Sequence, residues 1–134
     1  MYTIKLKDGR LLAFKEFGDK NGIPVIFQHG IGNSRLARHP FEKLTIETGI
    51  KLITVNRPGY GESSPQPRRT FLNWPPDIEQ LVNQLKIDKF GVLDHSGGAS
   101  YSLAIAYKMN DRVSKVVLAS PLGQLNVPGI RSCL

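Results

Sequence analysis

The sequence predicts an α/β domain, with a mostly parallel sheet that has an antiparallel start and helices on both faces. Two observations carry this. Four short apolar runs, Pro24-Val25-Ile26-Phe27, Leu52-Ile53-Thr54-Val55, Phe90-Gly91-Val92-Leu93 and Val113 to Ala119, have the length and composition of strands buried on both faces. Segments of helical spacing lie between them, the alternation that right-handed crossovers between parallel strands require.

Each element has its own signal. Thr3 to Lys7 and Leu11 to Glu16 alternate in polarity around Asp8-Gly9, a pair suited to a tight turn, and so predict an antiparallel hairpin. Gly18 to Gly22 is a loop leading into the first apolar run, which stops at His29-Gly30-Ile31-Gly32. Pro40 opens a helix in which Phe41, Leu44 and Thr48 share a face, and Gly49 supplies its left-handed cap. The second run enters Asn56-Arg57-Pro58-Gly59-Tyr60-Gly61-Glu62-Ser63, a loop whose glycines allow turns that other residues resist. After a Pro-rich span, Ile78, Leu81, Val82 and Leu85 recur at helical spacing and predict an amphipathic helix lying on the sheet. Ala99 to Tyr107 is small and apolar almost all round, as in a helix packed closely against a sheet.

Composition narrows the function classes. With 134 residues, 40% hydrophobic and 22% charged, the chain is long enough for one globular domain. Its net charge of +7 is scattered, with only Arg68-Arg69 adjacent and no interleaved aromatics, so nucleic acid is not an expected partner. No segment reads as a signal peptide or a membrane span, and Cys133 is the single cysteine. A cytoplasmic location is the expectation. His29, His39, His95 and Cys133 show no ligand spacing, so neither a metal nor an organic cofactor is expected.

The stretch richest in chemistry is Val92-Leu93-Asp94-His95-Ser96-Gly97-Gly98. Alone, a serine and two glycines after an apolar run also read as a helix start with serine as N-cap. The loops at the ends of the other runs change that reading, because parallel sheets collect their chemistry at strand carboxyl ends. His29-Gly30, Arg57-Pro58-Gly59-Tyr60-Gly61-Glu62-Ser63 and His95-Ser96-Gly97-Gly98, in that order, resemble the oxyanion loop, the glycine-rich loop and the nucleophile elbow of the α/β-hydrolase family, amino-terminal portion. The resemblance runs from about Asp8 to about Pro121. It implies Ser96 as nucleophile and the backbone N–H groups of Gly97 and Ile31 as oxyanion donors. His29 and Gly30 support that loop, and Asp94, His95 and Gly98 the elbow. Because the family base comes last in the chain, His29 is expected to brace its loop. His95 is expected to point away from the serine hydroxyl as a packing or pocket-wall residue, and His39 to cap or flank a helix on the surface. The implied activity is serine-dependent hydrolysis of ester-type bonds in a small molecule. The alternative is a non-catalytic ligand-binding module or an inactive remnant of a hydrolase.

Two departures from the family pattern stand out. Asp94 occupies the place of the elbow's first glycine, and is expected either to relax the turn or to find a buried partner. No histidine follows His95, and the only later acid, Asp111, precedes the fourth run at the wrong end of the sheet. Residues 1–134 are therefore expected to form one domain lacking the cap, the last strands and the triad acid and histidine. Its exposed sheet edge is a candidate for self-association.

Overall fold

The computed structural model describes residues 2–121; Cys133 lies outside the described residues. Six strands form one sheet: β1 (Tyr2–Lys5), β2 (Leu11–Gly18), β3 (Ile23–Gln28), β4 (Ile50–Val55), β5 (Phe90–Asp94) and β6 (Val113–Val117). Their order is β1-β2-β4-β3-β5-β6. The first two strands form the predicted hairpin, with Gly9 at φ +88° in its turn, and β2 runs antiparallel to β4. The remaining pairs are parallel, with Val25 opposite Leu52 and Gly91, and Ile26 opposite Ile53 and Val92.

That register divides the sheet into two unlike faces, because successive side chains point opposite ways. Ile26, Ile53, Val55, Phe90 and Val92 face α2 (Pro75–Gln84) and α3 (Ala99–Lys108), and with Ile78, Leu81, Val82 and Ile105 they form the buried core. Pro75 and Pro76 open α2, where a missing N–H costs nothing. A partly buried ion pair fastens the hairpin to this helix: Arg10 donates to both oxygens of Asp77, at 2.8 and 2.7 Å.

The other face carries a helix, as predicted, but is covered less fully than the apolar runs suggest. Among the described residues only the short α1 (Glu42–Glu47) lies there, in contact with β2 and β4. Gly49 does take the left-handed conformation after it, at φ +65°. Yet Phe41, Leu44 and Ile46 are exposed, and Val25, Phe27, Leu52 and Leu93 line an open cavity of about 570 Å³. Two other corrections share this cause. The Val113 to Ala119 run is an edge strand ending at Val117, with its side chains half-buried or exposed. In α3, Leu103 and Tyr107 face outward, so the helix is packed on one side only. Among the described residues nothing covers these surfaces, and an apolar run does not reveal whether its partner is at hand.

Candidate active site

β4, β3 and β5 lie side by side, so the loops leaving their carboxyl ends converge. His95 N–H donates to Gln28 O at 3.1 Å, joining the end of β5 to the end of β3. At Gly98 a Cβ would stand 2.2 Å from the same carbonyl oxygen. The glycine therefore lets the chain pass over the end of β3.

Ser96 has φ +52°, a left-handed conformation that a serine adopts only under constraint. His95 before it is extended, and a single 3₁₀ turn over Ser96–Gly98 leads into α3. Two hydrogen bonds hold the turn: Gly98 N–H donates to His95 O at 3.0 Å, and Ser96 N–H to Ala119 O at 2.9 Å. The His29-Gly30-Ile31 segment lies against it. A Cβ at Gly30 would sit 3.6 Å from Ser96 Cβ, and one at Gly97 would sit 3.6 Å from Ile31 N. Ile31 N–H and Gly97 N–H donate to no backbone or side-chain group among the described residues. The structure thus brings Ser96, Gly97, Gly98, Gly30 and Ile31 together.

His29 is fully buried. Its Nδ1 is 2.9 Å from Gly30 O, its ring lies against Tyr60, and its Nε2 has no hydrogen-bond partner among the described residues. This is a histidine fixed in its loop. Burial pushes its pKa down to about 4, aided by the nearby Arg57 charge and opposed by the Gly30 bond. A folded-state value below the ordinary 6.5 means that between those values the unfolded chain takes up a proton and the folded chain does not. His29 therefore stabilises the fold above pH 6.5, and this contribution is lost as pH falls toward 4. It amounts to on the order of 3 kcal/mol. Urea unfolding at pH 7.5 and 4.5 is expected to show a smaller acid-induced loss in His29→Asn, whose amide keeps a donor for Gly30 O. An equal loss in both proteins would contradict this account.

Asp94 has found a partner in the partly buried Ala119 N–H, and the turn after it keeps the positive φ of Ser96. At 1% exposure, it accepts Ala119 N–H at Oδ1, 3.2 Å away, while Oδ2 has no hydrogen-bond partner among the described residues. Ala119 is thus gripped twice, by the Asp94 carboxyl and by Ser96 N–H. Burial holds the Asp94 carboxyl above the usual carboxylate range, against smaller opposing effects of Ser102, the Ala119 N–H and His95. A raised folded-state value makes the protonated form the stabilising one. That stability is present below the unfolded value of 3.8 and is lost as pH rises through the folded one. Asp94→Asn keeps the acceptor and removes the charge, so it is expected to be at least as stable as the parent at pH 7 in thermal unfolding. A marked loss would show that the carboxylate itself is needed.

The other two histidines lie at the surface and at the start of α1. His95 is exposed and lines the wall of the cavity on the open face. His39 Nδ1 accepts Phe41 N–H at 3.1 Å, flanking the start of α1. Sequence reasoning missed Arg57, Gln28 and Trp74. The signal for Gln28 was present: alternation along β3 places it with Ile26 on the covered face, where a polar group requires a partner, and Trp74 Nε1 supplies one at 2.8 Å. Among the described residues no group of three His, Cys, Asp or Glu could hold a metal, and no helix is long and apolar enough to cross a membrane.

A family model for the alpha/beta hydrolase fold matches residues 23–133. The chain belongs to the α/β-hydrolase family. Among curated α/β-hydrolase relatives, the sn-1-specific diacylglycerol lipase ABHD11 of Danio rerio is 28% identical over 75% of this chain and 32% of its own length. The dihydrolipoyllysine-residue acetyltransferase component of the acetoin cleaving system of Pseudomonas putida is 31% identical over 86% of this chain and 31% of its length. A solved thermophilic esterase from Thermogutta terrifontis superposes with a TM-score of 0.75 at 25% identity, over 95% of this chain and 47% of that one. The chain spans about a third of the curated relatives it matches.

Proposed function

We propose that this chain carries the nucleophile and oxyanion donors of a serine-dependent hydrolase acting on ester-type bonds of a small molecule. The observation that carries the reading is Ser96 at positive φ beside two undonated N–H groups, those of Gly97 and Ile31. Ser96 Oγ attacks the ester carbonyl carbon while its proton passes to a base. The carbonyl oxygen, now an oxyanion, takes hydrogen bonds from Gly97 and Ile31. The tetrahedral adduct then collapses, the C–O bond to the alcohol breaks, and the alcohol leaves with the proton. Water later attacks the acyl-serine and releases the acid.

The base is not His29, which is buried and bound to Gly30. Nor is it His95, which precedes the serine and lines the open cavity, whereas the family base follows the nucleophile in the chain. On this reading a histidine from outside the 134 residues completes the site. The lipase and esterase names of the relatives agree with an ester substrate. The alternative of a non-catalytic remnant gains nothing from Asp94, since the elbow retains its positive φ. With p-nitrophenyl acetate and imidazole as exogenous base, the chain is expected to release a stoichiometric burst of nitrophenol that Ser96→Ala abolishes. An undiminished burst in Ser96→Ala would overturn the assignment.

A further inference from the structure

Arg57 is 2% exposed, and among the described residues it has no carboxylate partner. A buried guanidinium without a counter-ion is costly unless its donors are otherwise used. Here they are used on the oxyanion loop. Nη1 donates to His29 O and Nη2 to Gly30 O, the latter at 3.2 Å. The rings of Tyr60 and Tyr101 lie against the guanidinium, 5.1 and 4.7 Å from its central carbon. Gly30 O also receives the His29 Nδ1 contact at 2.9 Å, so two side chains hold one carbonyl.

That carbonyl belongs to the peptide whose N–H is Ile31. No peptide among the described residues is cis, and in a trans peptide the C=O and N–H point in opposite directions. Fixing Gly30 O on the Arg57 side therefore aims Ile31 N–H the other way, toward Gly97 and Ser96. A cation on the oxygen also polarises the peptide and strengthens its N–H as a donor.

We infer that Arg57, assisted by His29, is a positioning residue that aims and activates the Ile31 N–H as an oxyanion donor. This rests on the reading of Ser96 as nucleophile. Arg57→Lys keeps the charge but cannot reach both carbonyls with a planar fork, and Arg57→Met removes both charge and donors.

The test compares the parent chain, Arg57→Lys and Arg57→Met with a fluorophosphonate probe in imidazole buffer, separating the maximal labelling rate at Ser96 from the probe's reversible affinity. Amide ¹H–¹⁵N spectra are recorded in parallel. Loss of one oxyanion donor predicts a maximal rate about 10²-fold lower in Arg57→Met, unchanged probe affinity, and an intermediate rate in Arg57→Lys. The Ile31 amide is expected to shift and exchange faster, while amides of α2 stay in place. A folded Arg57→Met with unchanged rate and an unmoved Ile31 amide would overturn the inference. If Arg57→Met does not fold, a parent-like rate and Ile31 amide in Arg57→Lys would overturn it. A parent chain that takes no label defeats the nucleophile reading alone, and the Ile31 amide still decides whether Arg57 holds that peptide.

Discussion

Gly98→Ala is expected to lower the stability of the chain by about 3 kcal/mol, the upper part of the range for overpacked sites. Gly98 has φ −73°, which any residue adopts, so the glycine is there for space. A Cβ would lie 2.2 Å from Gln28 O, 2.9 Å from Gln28 C and 3.0 Å from Asp94 Cβ. The first two are main-chain atoms of β3, and Gln28 and Asp94 are paired in the sheet, so relief requires strand ends to part. At Gly97 the nearest atom to a Cβ would be Ile31 Cγ1, at 2.6 Å, in an exposed side chain that can rotate away. Gly97→Ala is therefore expected to cost the fold less than Gly98→Ala. Urea midpoints of the two variants check this; equal midpoints would mean that the strand end yields as readily as a side chain.

Trp74→Ala is expected to be at least as damaging, at about 3–5 kcal/mol for a large aromatic removed from a core. Trp74 is buried, with its ring edge-on to Tyr101 and its indole N–H on Gln28. Trp74→Phe refills much of the volume but orphans Gln28 Oε1, whose amide nitrogen already has no hydrogen-bond partner among the described residues. An orphaned buried acceptor costs about 1–3 kcal/mol. Gln28 O also holds His95 N–H, so this damage reaches the elbow. Thermal unfolding of both variants is expected to rank Trp74→Ala below Trp74→Phe and both below the parent. A Trp74→Phe as stable as the parent would mean that the Gln28 bond contributes nothing.

What the sequence made legible was whatever depends on local pattern. The hairpin at Asp8-Gly9, the apolar spacing of α2 and the strand-to-helix turn at Ser96 each follow from period and turn chemistry. The resemblance of three ordered loops then supplied the site, since loops after adjacent parallel strands must converge. Partners distant in sequence were not legible. Nothing near Arg57 announces that its donors end on His29 and Gly30, and nothing near Asp94 announces Ala119. The exposure of β6 and of Phe41 and Leu44 was missed for a related reason. Hydrophobicity records that a surface is to be covered, while the covering element is a property of the whole fold.

On the proposed function, Ser96 sits in an oxyanion site that exists before any base is added. Such a site retains a large residual advantage when triad members are missing, on the order of 10³ in other serine enzymes. The direct measurement is to treat the folded chain with a fluorophosphonate in imidazole buffer and map the adducts by mass spectrometry, with Ser96→Ala as control. The account predicts an adduct on Ser96 far ahead of those on exposed serines such as Ser120. A folded chain in which Ser96 reacts no faster than Ser120 would contradict it.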